Sequence, residues 1–252
     1  MKLVLHAEWT KLRTTATTGW LLLAAVALTV MVGVLATSAV TCPTGGCGID
    51  PAKTSLTGVY LGQAVVVVVA VLAIGGEYGT GMIRTTFTAM PHRLVVLGAK
   101  AMLLVGLVVA AGVVAVLGAL LVGRPLLAAH GHLVLSLGAG PVLRAAVGSV
   151  LYLALIALLS LGIATAVRDS VVAIGLVLGL LYLFPIIGGV VVDLTWHRHL
   201  EQIGPMAAGL AVQATIGLQS LPIGPWAGLG VLAAWAAGGL LLGGLVVRLR
   251  DA

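Results

Sequence analysis

The sequence predicts an all-α protein that crosses a membrane six times. Three observations carry that prediction. First, 61% of the 252 residues are hydrophobic and 8% are charged, where a soluble domain has about 45–50% apolar and about 25% charged residues. Lipid is therefore the solvent for most of the chain. Second, charge-free apolar stretches long enough to cross the hydrocarbon core, which takes about 20 helical residues, recur along the chain. Third, the basic residues stand in the short connections between those stretches and divide unequally between the two sides. The 35 glycines fall inside the apolar runs, where they let helix backbones approach closely. A net charge of +6 would point to nucleic acid in a soluble protein. Here it follows from retention of Lys and Arg on the cytoplasmic side, and no nucleic-acid partner is expected.

Taken in order, residues 20–40 form the first span. This run is longer than a signal-peptide core of about 7–15 residues and no A-x-A site follows it, so it reads as a helix that is kept. The next spans are residues 56–76, 101–123, 145–167, 170–192 and 225–247. Residues 125–143 are charge-free too, but His130, His132, Pro141 and three glycines interrupt them. They read as an external loop with a short interfacial helix. Residues 203–222 are broken by Gly204, Pro205, Gln213, Gln219 and Pro222, and read as an outer re-entrant or interfacial segment. Non-helical backbone at membrane depth needs cover from protein or a water-filled cavity.

Six spans with a cytoplasmic N-terminus put nine basic residues inside: Lys2, Lys11, Arg13, Arg84, Arg93, Lys100, Arg168, Arg248 and Arg250. Four fall outside: Lys53, Arg124, Arg144 and Arg198. A seventh span would leave seven against six and erase the bias, so six spans with both termini inside is the expected topology. Cys42 and Cys47 are the two cysteines and share the first outer loop. There they can form a disulfide or stand as two free thiols. The most polar outer loop, residues 193–201, holds His197 and His199 near Asp193 and Glu201. A zinc site is conceivable on that composition, and a solvated loop is the simpler reading. No metal ligands are assigned.

Absent motifs narrow the function. The chain has no G-x-x-x-x-G-K-[ST] phosphate loop, no H-E-x-x-H and no G-x-S-x-G elbow. No acidic or basic residue lies deep in the six expected spans, which argues against an ion-coupled transporter, a proton pump or an intramembrane hydrolase. No catalytic or cofactor-binding residue is expected. If the protein moves something uphill, its energy has to arrive from a partner through the cytoplasmic face.

The segment 77–93 is suited to receive it. Gly79 and Gly81 separate it from the second span, and Thr80 can cap a helix. Met82, Ile83, Phe87 and Met90 recur at helical spacing, with Arg84, Thr85 and Thr88 elsewhere on the wheel. Pro91 ends the run. A short amphipathic helix of this kind can lie in a groove of a partner or on lipid headgroups, and its methionines suit an adaptable contact.

This segment resembles the first intracellular loop of ABC-2 type permeases of the actinobacterial type, which reads E-Y-x-x-G-M-I-R-x-T, then a proline and basic residues, then A-K. The matching residues are Glu77, Tyr78, Gly81, Met82, Ile83, Arg84, Thr86, Pro91, Arg93, Ala99 and Lys100. Glu8, Trp9, Thr10, Lys11, Leu12 and Arg13 resemble the opening of the same permeases. Arg248, Arg250, Asp251 and Ala252 resemble their basic ending, with Leu249 where an arginine is usual. The resemblance implies the membrane subunit of an ATP-driven exporter in the plasma membrane, without enzymatic chemistry of its own. Its partners would be a separate ATP-binding subunit holding ATP and magnesium, a second copy of itself or a related permease, and lipid. It implies that Glu77, Gly81, Met82, Ile83, Arg84, Phe87, Met90 and Arg93 belong to a coupling helix seated on that ATPase. Residues 1–18 would form an elbow helix, with Leu3, Val4, Leu5, Trp9 and Leu12 on its apolar side. Tyr60 and Gln63 in the second span and Tyr182 and Phe184 in the fifth would line a pathway for an amphipathic or hydrophobic cargo; they can equally be packing residues. An ATP-independent transporter or channel, or a membrane immunity-type protein, is the alternative.

Overall fold

Apolar runs as long as a bilayer is thick have to satisfy their own backbone groups, and within one segment only a helix does so. The computed structural model describes residues 10, 16–40, 48–79, 81–82, 93–129, 138–190 and 193–250. Among them the regular elements are all helical: α1 Ala16–Ala39, α2 Pro51–Ser55, α3 Val59–Gly79, α4 Arg93–Ala129, α5 Gly140–Val167, α6 Ser170–Val190, α7 Leu194–Ile203, α8 Pro205–Leu210 and α9 Pro225–Arg250. Two 3-10 turns, Ala211–Gln213 and Leu218–Ser220, lie between α8 and α9. Six helices, α1, α3, α4, α5, α6 and α9, are long and apolar enough to cross a membrane. They alternate in direction and give the bundle two ends. One end carries Asp50, Arg144 and Thr215, and the other carries Glu77, Lys100 and Arg168.

Helices α3 and α5 form the middle, and α1 and α6 lie at the edge. The most extensive helix pairing is α5 with α9. Glycine makes it possible: a Cβ on Gly162 would collide with the backbone of Gly239, and one on Gly243 would stand 2.6 Å from the Gly162 carbonyl. Helix α1 buries Ala25, Thr29, Gly33 and Thr37, four residues apart and therefore on one face. Its threonines return their hydroxyls to their own helix, Thr29 Oγ1 to the Ala25 carbonyl at 2.7 Å and Thr37 Oγ1 to the Gly33 carbonyl at 3.0 Å. No hydroxyl is thus left unsatisfied against Gly58 and Gly62 of the neighbouring turn and helix, which press on Thr29. The large residues Trp20, Leu23, Met31 and Leu35 stay exposed, as lipid contact allows.

Several boundaries differ from the sequence expectation. Helix α1 begins at Ala16, inside the expected elbow; residues 1–9 and 11–15 lie outside the described residues. Helix α4 runs 37 residues, from Arg93 to Ala129, with Pro125 inside it. The expected third span stopped at 123 because Pro125 reads as a breaker. Within a membrane protein neighbouring groups can re-satisfy the backbone that a proline frees. Leu127, two residues on, is buried beside Ala52, Leu56 and Val142, which holds the last turn in place. Residues 130–137 lie outside the described residues.

The polar stretch 193–201, expected as a loop, is the helix α7. Asp193 caps it by accepting from the Thr195 amide at 2.8 Å. The following segment packs inward, with Met206, Ala208, Leu210, Val212 and Gln213 buried against α5, α6 and α9. Helices α5 and α6 are joined by only Arg168 and Asp169. Arg168 takes a left-handed φ of 64° and its amide donates to the Ala164 carbonyl at 2.9 Å, ending α5. Asp169 accepts from the Val172 amide at 2.8 Å, starting α6.

Candidate functional site

At the Lys100 end two charges are buried inside the bundle. Lys100 of α4 donates to a Glu77 carboxylate oxygen at 3.1 Å and to the Ala73 carbonyl at 3.0 Å. The two side chains are 4% and 7% exposed. The expected spans ended at 76 and began again at 101, one residue short of each charge. Charges served there as boundary marks, whereas pairing lets both enter the helices. Next in sequence to Lys100's partner, Tyr78 lies under the Arg168 guanidinium, 5.7 Å from ring centroid to carbon. Arg168 also reaches the Val246 carbonyl at 3.4 Å. Helices α3, α4, α5 and α9 thus meet in one polar cluster.

The expected coupling segment leaves the bundle at this cluster. Gly81 takes a φ of 70°, a left-handed conformation that suits glycine, and its amide donates to the Tyr78 carbonyl at 3.3 Å. The chain turns there, and Met82 is half exposed. Ile83, Arg84, Phe87 and Met90 lie outside the described residues, and Arg93 opens α4. Of the residues assigned to the coupling contact, Glu77 is placed differently: its carboxylate is buried against Lys100.

Of the four residues assigned to a pathway, two have side chains that tie helices together. Gln63 is fully buried; it accepts from the Tyr152 hydroxyl and its Nε2 donates to Met206 Sδ at 3.2 Å. It therefore ties α3 to α5 and to α8. The Tyr182 hydroxyl donates to the Tyr60 carbonyl, tying α6 to α3. Tyr60 and Phe184 instead line a cavity of about 230 Å³ at the Asp50 end, with Lys53, His197, Glu201 and Met206. His197 Nδ1 donates to the Gly188 carbonyl at 2.8 Å, and its Nε2 lies 3.4 Å from Glu201. Among the described residues no three His, Cys, Asp or Glu side chains gather as a metal set. Cys42 and Cys47 lie outside the described residues.

Ala211, Leu221 and Pro222 bring the segment after α8 to the wall of this cavity as its roof, and between them that segment is fastened by charge at both faces of one peptide group. Arg144 Nη2 donates to the Ala214 carbonyl at 2.6 Å. The amide of the same peptide, on Thr215, donates to Asp50. Asp50 also accepts from Thr215 Oγ1 at 2.6 Å, from the Ile216 amide at 3.1 Å, and from the Ala52 and Lys53 amides at 3.2 Å each. A guanidinium and a carboxylate thus polarise one peptide from opposite sides, and both hydrogen bonds are charge-assisted. Burial pushes the Asp50 carboxyl upward, but the bonds from Thr215, Lys53 and Ile216 outweigh it and hold the group below its ordinary 3.8. Gln213 Nε2 donates to Ser149 Oγ at 3.1 Å, and Gln202 Nε2 to the Pro222 carbonyl at 2.8 Å, completing the fastening.

Asp50, Arg144, Thr215 and Tyr152 carry this architecture and were not singled out from the sequence. The Asp50-Pro51 pair did hold a signal, since Asp at an N-cap followed by Pro at the first helical position marks a helix start. Nothing local marks Thr215 or Arg144 as its partners. No protein-family model matches the chain, and no curated protein does.

Proposed function

We propose that the chain is the membrane-spanning permease subunit of an ATP-binding-cassette exporter of the ABC-2 type. The Lys100 end faces the cytoplasm of a plasma membrane, and both termini lie on that side. The subunit pairs with a second copy or a related permease and with a separate subunit that binds ATP and magnesium. It performs no bond chemistry itself.

The observation that carries this reading is the segment 77–93. Its residues resemble a coupling loop, and the buried Glu77–Lys100 pair mounts both of its ends on the bundle. A push on a segment so mounted reaches α3 and α4 together. Arg168 and Tyr78 extend the same cluster to α5 and α9. The cavity beneath the roof at the Asp50 end then lies on the exit side.

The test is co-purification with the phosphate-loop ATPase encoded beside it. Changing Phe87→Asp and Arg84→Asp should abolish the complex and the stimulation of ATP hydrolysis. Unchanged binding and unchanged ATPase activity would remove the coupling role. One observation favours a second reading, transport driven by an ion gradient: the buried Glu77–Lys100 pair is the kind of group such transporters carry inside the membrane. That reading requires uptake in vesicles with a proton gradient and no ATP.

A further inference from the structure

Two hollows lie end to end along one face of α6. Leu180, Phe184 and Gly188 stand four residues apart there and share that face. Leu180 lines an apolar groove of about 440 Å³ with Leu159, Val231, Trp235, Gly238 and Leu242. Phe184 and Gly188 line the cavity of about 230 Å³ at the Asp50 end. At the joint stand Phe184 and Trp235, edge to face with centroids 6.5 Å apart and planes at 71°. Trp235 is held there by its Nε1–H, which donates to the Ile203 carbonyl at 3.0 Å.

The two hollows differ in chemistry. No charged side chain lines the groove, and a Cβ on Gly238 would meet nothing within 4 Å, so it is open. From Val231 to Leu242 it follows three turns of α9, about 16 Å of helix, which suits one extended alkyl chain. The cavity has Lys53, His197 and Glu201 at its wall. Glu201 faces His197 at 3.4 Å, while the Lys53 ammonium has no hydrogen-bond or ion-pair partner among the described residues. An exposed cation with no direct partner among the described residues thus stands at the polar end of an otherwise apolar seam, in the same cavity wall as the His197–Glu201 pair.

We propose that this seam is a binding site for a single-chain amphiphile with an anionic head. The chain lies in the groove, the head sits in the cavity near Lys53, and the Phe184–Trp235 pair is the partition that the molecule displaces as it passes from one to the other. An ordinary two-chain phospholipid fits less well, because the groove has room for one chain. This deepens the exporter reading by naming a class of cargo, and rests on it only for the direction of travel.

The experiment uses the purified chain in zwitterionic nanodiscs and a diazirine-bearing long-chain fatty acid, with the matching uncharged alcohol as comparison. Labelling should saturate and map to α6 and α9, with the acid preferred. Gly238→Leu fills the groove and should weaken labelling about tenfold. Leu242→Trp, which fills it from an already exposed side chain, should do the same if Gly238→Leu folds poorly. Lys53→Gln should remove the preference for the acid. Gly175→Leu is the control, since Gly175 is an exposed glycine of α6 with equally open space. Labelling that never saturates, or that falls as much in Gly175→Leu as in Gly238→Leu, means surrounding lipid only and overturns the site. An unchanged acid preference in Lys53→Gln overturns the assignment of the head. Saturable binding in a chain that neither binds the neighbouring ATPase nor stimulates its ATP hydrolysis keeps the site and removes the exporter reading.

Discussion

The two ends of the bundle solve the same problem in opposite ways. At the Lys100 end a cation and an anion meet directly, deep between helices, at 3.1 Å. At the Asp50 end a cation and an anion never touch; a neutral peptide stands between them and takes a hydrogen bond from one and gives one to the other. The first arrangement is costly to disturb, because removing either partner leaves a buried charge. The second is cheaper to disturb, because the exposed side of the roof leaves water near at hand. One end is thus built to hold its geometry, and the other to let go of it.

The largest expected effect breaks the first arrangement. Lys100→Met alone should lower stability by about 3–5 kcal/mol, the usual cost of stranding one member of a buried pair. The double change Glu77→Gln with Lys100→Met should recover most of that loss. Thermal unfolding in detergent, read as a double-mutant cycle, checks it; a single-variant cost under about 1 kcal/mol would show that the pair is not buried as described.

A smaller effect is expected between the ends. Gly162→Ala drives a Cβ into the Gly239 backbone at the α5–α9 crossing, and overpacking of this kind costs about 1–3 kcal/mol. It should shift unfolding without changing its dependence on pH, which separates packing from charge.

The smallest effect belongs to the Asp50 end. Asp50→Ala should cost about 1–2 kcal/mol at neutral pH, the range for bonds to a charged group with allowance for solvent on its exposed side. The sign of the pH dependence follows from the lowered folded value. The stabilisation is present above the ordinary carboxylate range near pH 4 and is lost as pH falls through the lower folded value. The melting temperatures of wild type and Asp50→Ala should therefore converge below about pH 4. A gap that persists at about pH 2 would mean that packing, not the carboxylate, fastens the roof.

How far the sequence anticipates all this depends on the range of the interaction. Six spans were legible because each apolar run carries its own signal over a length that lipid dictates. The start of α2 was legible in principle, since Asp50 and Pro51 are neighbours. Pro125 misled because a local rule for helix ends is overruled by burial of Leu127 two residues later. Glu77 and Lys100 misled because a charge taken alone does belong at a boundary, and only its partner 23 residues away lets it inside. Asp50 and Thr215 are 165 residues apart, and no periodicity spans that distance. Three pairs of glycines spaced four apart, each compatible with close helix packing, divide in the same way. Gly58 and Gly62 press on α1 and Gly239 and Gly243 on α5, while Gly175 and Gly179 meet nothing within 4 Å. Spacing shows where a close approach is permitted, and only the fold decides where one occurs.

Helix α4 has a consequence of another kind. From Arg93 to Pro125 it is one uninterrupted helix, a rod of about 48 Å at 1.5 Å per residue, against a hydrocarbon core of about 30 Å. It is thus longer than the core is thick, and its first residue is the last of the segment 77–93. Held as a rigid lever, it turns a rocking of about 5° into a displacement of about 4 Å at the far tip. That tip packs beside α2, the short helix capped by Asp50. A small rotation near the Lys100 cluster would thus arrive, by leverage alone, as a shift comparable to a hydrogen-bond length beneath the peptide that closes the opposite end.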